Sequence, residues 1–311
     1  MSHVEGAIVL AYLAASLRMA TPIGLAALGG VLSERSGVLN IGLEGMMLTG
    51  ALAGAMGSYF LGGPWIGTLA ALASGMLLGA GLAGLTVTLG TNQIVSGVGI
   101  NLFALGFTTV VERVVLRPAG IETVPAFARF AAPGLRAVPV VGPLLASLTP
   151  LVLVTIAIAP LLAIFLYRTP WGLALRATGE VPRAADTAGI NVFFVRYMAV
   201  AASGALAGAG GAFLSLGQLN LFSENMTAGR GFIALAAVIL GKWDPIGALA
   251  AAFLFGAAEA LQLFVQSYGF GVPYQIPSML PYVLALAVLA GFVSRAVPPA
   301  AEGIPYQQEE R

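Results

Sequence analysis

The chain has 311 residues, of which 59 % are hydrophobic and only 9 % charged, and its formal net charge is +1. A soluble domain carries about 25 % charged residues, so this composition excludes a water-covered globule and points to an all-α polytopic integral membrane protein. The absence of cysteine excludes disulfides, thiolate metal sites and a cysteine nucleophile, and the small net charge points to no nucleic-acid partner.

Taken in order, the start of the chain, with His3 and Glu5, lacks the basic region of a signal peptide, so the N-terminus is expected to be retained. An apolar run from Val4 to Leu32 follows, interrupted by Arg18 and Pro22. It reads as one kinked span or as two helices meeting at Pro22. Ser33 to Gly45 is then an island of polarity, with Glu34, Arg35, Asn40 and Glu44 among glycines. It is either a turn in water or a helix broken inside the bilayer, where freed backbone must find other partners. Met46–Leu61 and Trp65–Leu89 are apolar and glycine-rich, split by Gly62-Gly63-Pro64. Gly90-Thr91-Asn92-Gln93 punctuates the chain before the Ile94–Val111 span.

Residues 112–143 form a long extramembrane loop with Arg113, Arg117, Arg129, Arg136 and several prolines. Leu144–Tyr167 is a span, and 168–196 is polar again, with Arg168, Arg176, Arg183 and Arg196. The positive-inside rule therefore ties between these two loops. Tyr197–Leu216, a short run to Leu240, Ile246–Val265 with Glu259 inside it, and Tyr282–Val293 complete a membrane-embedded unit over 1–297. Residues 298–311 read as a polar tail, expected to be disordered. The count is roughly eight to ten membrane helices. Ser33-Glu34-Arg35 before Gly37 is echoed by Ser223-Glu224-Asn225 before Gly229-Arg230-Gly231, as expected of broken helices in inverted-repeat halves.

Several motifs carry no chemistry. Gly79-Ala80-Gly81-Leu82-Ala83-Gly84 matches a dinucleotide fingerprint but lies inside an apolar span, where it reads as helix packing. Gly241-Lys242 lacks the glycine of a phosphate-binding loop, and His3 is the only histidine. No catalytic residue, metal site or cofactor is therefore assigned to this chain.

Polar groups at membrane depth are functional candidates. Arg18, Glu44 and Glu259 are such charges, with Glu112 at the margin. An Arg18–Glu44 structural pair is the alternative, and Glu34 and Arg35 are expected to satisfy one another or nearby helix ends. Asn40, Asn92, Gln93, Asn101 and Gln218 are amides in or beside spans. With Glu44 they form a candidate pathway for a neutral polar solute, or else they are glue between helices.

Thr169–Ile190 reads as a short helical hairpin, broken at Gly179-Glu180-Val181-Pro182 and resumed over Arg183–Asp186, suited to docking another protein. The run Trp171-Gly172-Leu173-Ala174-Leu175-Arg176-Ala177-Thr178-Gly179-Glu180-Val181-Pro182-Arg183-Ala184-Ala185-Asp186-Thr187-Ala188-Gly189-Ile190 resembles the cytoplasmic coupling loop of bacterial ABC importer permeases for branched-chain amino acids, ribose-type sugars and nucleosides. Ser33–Gly45 with Met46-Met47-Leu48, Thr91–Gly97 and Gly229–Ala236 resemble the nucleoside-type subgroup, and the likeness runs from about Arg18 to Gln262. Val181 departs from the family, which commonly has asparagine there.

The resemblance implies a multi-pass permease of the bacterial inner membrane, without an ATPase site of its own. It implies a second permease chain, of different sequence, and cytoplasmic ABC ATPase subunits that use ATP. It implies an extracytoplasmic solute-binding lipoprotein that delivers nucleosides. Arg176, Gly179, Glu180, Pro182, Ala184, Ala185 and Gly189 would then form the ATPase-coupling loop, with 112–143 outside and the tail inside. The alternatives are a ribose-like sugar or branched-chain amino acid importer, and a proton-coupled secondary transporter using Glu44 and Glu259.

Overall fold

A computed structural model describes residues 2–129, 141–267, 275–287 and 296–306, together with 273 and 290. Arg136, Arg295 and residues 307–311 lie outside the described residues.

The chain is all-helical in its membrane body. Helix α1 spans Ser2–Arg35, α2 Leu43–Leu61, α3 Pro64–Ala83 and α4 Gln93–Val111. Next come α5 (Val141–Ala146), α6 (Pro150–Arg168), α7 (Pro170–Glu180), α8 (Pro182–Thr187) and α9 (Val192–Ala212). The remainder are α10 (Arg230–Leu240), α11 (Pro245–Ser267), α12 (Gln275–Ser278) and α13 (Leu280–Ala287). Helices α3, α4 and α9 each continue through a π-helical turn, to Thr88, Leu116 and Gln218.

The boundaries follow from local chemistry. Prolines open α3, α6, α7, α8 and α11, where the missing N–H costs nothing and the fixed φ suits the first turn. Asn92 accepts from the Ile94 and Val95 amides at the start of α4, and Asn191 from Phe194 at the start of α9. Pro22 does not split α1, which runs through it as one helix.

Among the described residues six helices are long and apolar enough to cross a membrane: Ile8–Arg35, Pro64–Thr88, Gln93–Leu116, Pro150–Arg168, Val192–Gln218 and Pro245–Ser267. The described residues also hold the largely buried α2 and two shorter apolar helical stretches, Arg230–Leu240 and Gln275–Ala287. Large apolar side chains such as Leu102, Phe103 and Val110 on α4 are exposed, as a lipid-facing surface requires.

Helix α9 is the hub, packed against α1, α2 and α3. Small residues make this possible. A Cβ on Gly204 would strike the Gly75 carbonyl of α3, and one on Gly208 the Ala71 carbonyl. Gly79 sits against Val200 and Ala201, so the fingerprint-like glycines belong to helix packing.

The two ends of the bundle differ. At one end Arg35 of α1 donates to the Trp243 carbonyl, and Gly179 of α7 lies on the Arg35 carbonyl. At the other, Arg113 pairs with Glu224 at 2.8 Å and Arg117 with Glu112 at 2.9 Å. There the extended 121–129 segment bonds back to Asn220 and Leu216 through Val124 and Phe127.

Candidate functional site

Between α1 and α2 the chain leaves helical geometry and turns back into the bundle, with Val38 and Asn40 fully buried. Its backbone groups are met one by one. Ser33 Oγ donates to the Val38 carbonyl (2.6 Å) and the Leu39 amide to Gln93 Oε1 (2.7 Å). Asn101 Nδ2 donates to the Ile41 carbonyl (2.9 Å) and its Oδ1 accepts from the Gly45 amide (2.8 Å). Asn40 Nδ2 reaches Ser203 Oγ of α9 at 2.9 Å. Ser33–Gly45 is therefore a helix broken inside the protein, with side-chain amides doing what water cannot do at that depth.

A second break, between α9 and α10, meets the first at Glu44. Its carboxylate accepts from Thr227 Oγ1 (2.6 Å), the Gly229 amide (2.8 Å) and the Gly231 amide (2.6 Å). Glu44 is in the first turn of α2 and Gly229 caps the start of α10. The two helix N-termini thus converge on one carboxylate, a placement that each helix dipole favours. Gly231 must lack a side chain, because a Cβ would lie 2.5 Å from the Glu44 backbone nitrogen and Cα. From this point α2 runs toward the Arg113 end and α10 toward the Arg35 end. Helix α10 has 11 residues, so the junction stands about 16 Å from the Arg35 end, near mid-depth of a ~30 Å hydrocarbon core.

Beside the junction, Arg230 Nη2 faces Glu259 Oε2 at 3.4 Å, and Arg230 Nη1 also donates to the Met226 and Thr227 carbonyls. The pair borders a cavity of about 480 Å³ lined by Met19, Gln218, Arg230, Glu259, Gln262 and Tyr282, among others. Glu259 lies about 21 Å along α11 from Pro245, so the cavity occupies the half of the bundle toward the Arg113 end. Two carboxylates are offset there by one guanidinium and two helix N-termini of about half a positive charge each, which leaves the region near electroneutral.

At the Arg35 end, α7 and α8 form the helix–break–helix read from the sequence, with Thr169 capping α7 through the Gly172 amide. Arg176 Nε donates to the Leu166 carbonyl and its guanidinium lies 5.2 Å from the centre of the Tyr167 ring. Gly189, at φ +84°, follows α8. The edge formed by Val181, Arg183, Ala184 and Gly189 is exposed, while Ala185 is buried. Residues 297–306 are not a loose tail. The Ala301 amide donates to the Gly179 carbonyl (2.8 Å), the Ala300 amide to Glu180 Oε2 (3.3 Å), and Tyr306 packs on Phe193.

The family model for the permease component of branched-chain amino acid transport systems matches residues 12–292. The chain belongs to that family. It is a multi-pass membrane permease by family and by its six apolar helices. It is 40 % identical to the guanosine ABC transporter permease protein NupQ of Bacillus subtilis, over 96 % of each chain. It is 38 % identical to the nucleoside ABC transporter permease protein NupC of Lactococcus lactis, over 92 % of this chain and 93 % of that one. It is 39 % identical to the provisionally named glucose ABC transporter permease protein TsgC13 of Haloferax volcanii, over 90 % and 91 %. No solved structure matches the chain.

Within the permease, the sequence-selected residues divide by location. Asn40, Gln93 and Asn101 serve the first break, Asn92 caps α4 and Glu44 joins the two breaks. Gln218 and Glu259 line the cavity. The Arg18–Glu44 pair is not formed, and Glu34 and Arg35 are met by the end of α10, the other arrangement expected, rather than by one another. Arg18 donates to the Ser147 carbonyl near the Arg113 end, far along α1 from the level of Glu44. Glu34 accepts from Trp243 Nε1, while Arg35 turns to the Trp243 carbonyl.

Arg196 was not singled out by sequence reading, because it looked like one more arginine of a polar loop. It is 1 % exposed and donates to the carbonyls of Ser36 (3.1 Å), Thr178 (3.3 Å) and Ile304 (3.2 Å). One guanidinium thus joins the first break, the end of α7 and the C-terminal segment. The available signal was its position one turn into an apolar helix, after the Asn191 cap.

Proposed function

We propose that this permease is the membrane-spanning subunit of a bacterial ABC importer for nucleosides. In this reading it lies in the inner membrane with the Arg35 end facing the cytoplasm. A second permease chain of different sequence completes the pathway. ABC ATPase subunits dock on the exposed α7–α8 edge and hydrolyse ATP, and a solute-binding lipoprotein docks at the Arg113 end. The chain supplies no catalytic group.

The observation that carries the reading is the direct contact between the docking loop and the first break. A Cβ on Gly179 would strike the Arg35 carbonyl and lie 3.1 Å from the Gly37 nitrogen. A push on α7 therefore reaches Ser36–Asn40 without an intervening flexible element. From there it reaches Glu44, and through Glu44 the start of α10. Two helices that point in opposite directions from a shared carboxylate can exchange opening toward one side for opening toward the other, as inverted repeats do in alternating access. The near-neutral junction suits an uncharged solute, and the likeness to NupQ and NupC supports nucleosides within that class.

The test is purification of the intact assembly from its native membrane, followed by nucleoside uptake in proteoliposomes. Co-purification of an ATPase, and ATP-dependent guanosine uptake lost on Gly179→Val with the complex still assembled, is the expected result. Unchanged uptake in that variant would overturn the coupling role. Uptake that persists without an ATPase and collapses with the proton gradient would instead favour the proton-coupled alternative. The likeness to TsgC13 supports a second reading, a sugar as the solute. Glucose uptake exceeding nucleoside uptake in the same assay would establish it.

A further inference from the structure

The cavity beside the junction holds two polar atoms that the helix scaffold does not use. Arg230 Nε and Gln218 Oε1 are buried and have no hydrogen-bond partner among the described residues. Gln218 spends its amide nitrogen on the Met19 sulfur, a weak acceptor. Arg230 and Glu259 stand side by side with their nearest atoms 3.4 Å apart, at the long limit of a hydrogen bond. Both line the same 480 Å³ space, which falls within the usual 300–1,000 Å³ range of small-molecule sites.

We propose that this cavity is a nucleobase subsite that reads the oxo–imino edge of the base. This deepens the nucleoside reading and rests on it. A guanidinium next to a carboxylate presents donors beside acceptors. The complementary ligand edge is a carbonyl beside an N–H, as at C6=O and N1–H of guanine. Arg230 donates to the base carbonyl, as arginine does to guanine O6, and Glu259 accepts the ring N–H. Gln218 Oε1 remains as an acceptor for a ribose hydroxyl, and Tyr282 offers an apolar ring with a polar tip. A sugar without a base presents only hydroxyls, which fill the donor–acceptor pair without its fixed order. The site lies between mid-depth and the Arg113 end, where an arriving solute would be met before the junction.

The experiment compares maximal uptake of guanosine and 1-methylguanosine by the purified assembly in proteoliposomes, each solute at saturation of the binding protein. The methyl group removes N1–H and leaves C6=O in place. Discrimination by the binding protein is common to wild type and variant and cancels in the ratio of ratios. Glu259→Gln is expected to narrow the guanosine to 1-methylguanosine ratio by about tenfold, the scale of exchanging a charged acceptor for a neutral amide oxygen in that hydrogen bond. Arg230→Lys is expected to slow both solutes together, because both keep the carbonyl. Glu259→Asp, which keeps the charge but withdraws it, serves where the glutamine variant does not assemble, and is expected to narrow the ratio in the same direction. Equal slowing of both solutes by the Glu259 variants, or no slowing, overturns the subsite and leaves the nucleoside importer standing. A wild-type assembly that moves neither nucleoside overturns the nucleoside reading itself.

Discussion

Removing the guanidinium of Arg196 should unfasten the C-terminal segment from the Arg35 end of the bundle. In Arg196→Met the length of the side chain is kept, but the Ser36, Thr178 and Ile304 carbonyls lose their donor. Hydrogen bonds to a charged group contribute about 1.5–3 kcal/mol each, so the gross loss is about 5–9 kcal/mol. Relief of the desolvated charge returns several kcal/mol, leaving a net destabilisation of about 2–4 kcal/mol. The loss is local, because the Arg196 hydrogen bonds go to the first break, the end of α7 and the tail. Hydrogen exchange should show the Ala301 amide, now bonded to the Gly179 carbonyl, losing at least about tenfold in protection, with α3 and the middle of α9 unchanged. Arg196→Lys should fall between, since an ammonium cannot span three carbonyls in the way a planar fork does. Unchanged protection at Ala301 in a folded Arg196→Met protein, or a uniform loss across all helices, would refute the idea of a local junction.

Other predictions rest on separate contacts. Burial pushes the Glu302 carboxyl up to about 7, from an ordinary value of 4.5. The docked segment therefore favours neutral Glu302. Docking is strongest below about 4.5 and weakens as pH rises through about 7, measured as exchange at Ala301, and Glu302→Gln should flatten that dependence. Glu44→Ala leaves Thr227 and the Gly229 and Gly231 amides without their acceptor. It should lower thermal stability in detergent by about 3–5 kcal/mol equivalent, and Glu44→Gln by less, read as ordered losses of melting temperature. At the exposed Arg113 end, Glu224 is held below the usual carboxylate range by the hydrogen bond from Arg113. Glu224→Gln should therefore alter proteolysis of the 219–229 segment while leaving the melting temperature within about a degree, since exposed pairs contribute little.

The fold class was legible because composition alone forces it. The two breaks were legible as polar islands in apolar sequence, and the α7–α8 hairpin as helix formers around Gly179–Pro182. The roles of the amides were not, for a physical reason. An asparagine that serves a backbone group and one that faces a solute have the same sequence neighbours. The difference lies in which helix arrives beside it, as Gln93 of α4 does for Leu39. Arg196 was hidden in the same way. Its three acceptors come from segments 18 to 160 positions away along the chain. The C-terminal segment looked disordered because polarity and prolines suggest that. Pairing of its amides with Gly179 and Glu180 supplies the missing enthalpy.

The position of Glu44 also explains why a costly charge is tolerated at mid-depth. A lone carboxylate there would be destabilising by several kcal/mol. Two helix N-termini facing one another would themselves repel. Placing the carboxylate between them offsets both terms at once, and does so only while α2 and α10 remain head to head. Separation of the two helices would leave a bare carboxylate on one side and unmet amides of Gly229 and Gly231 on the other. The junction therefore resists being pulled apart and favours pivoting as a unit, with Gly229 at φ +85° and the close-packed Gly231 as the points where the chain turns. On the proposed reading, a rigid pivot at mid-depth, with a cavity on one side and the α7–α8 loop on the other, would let a push on α7 be felt at Arg230 and Glu259.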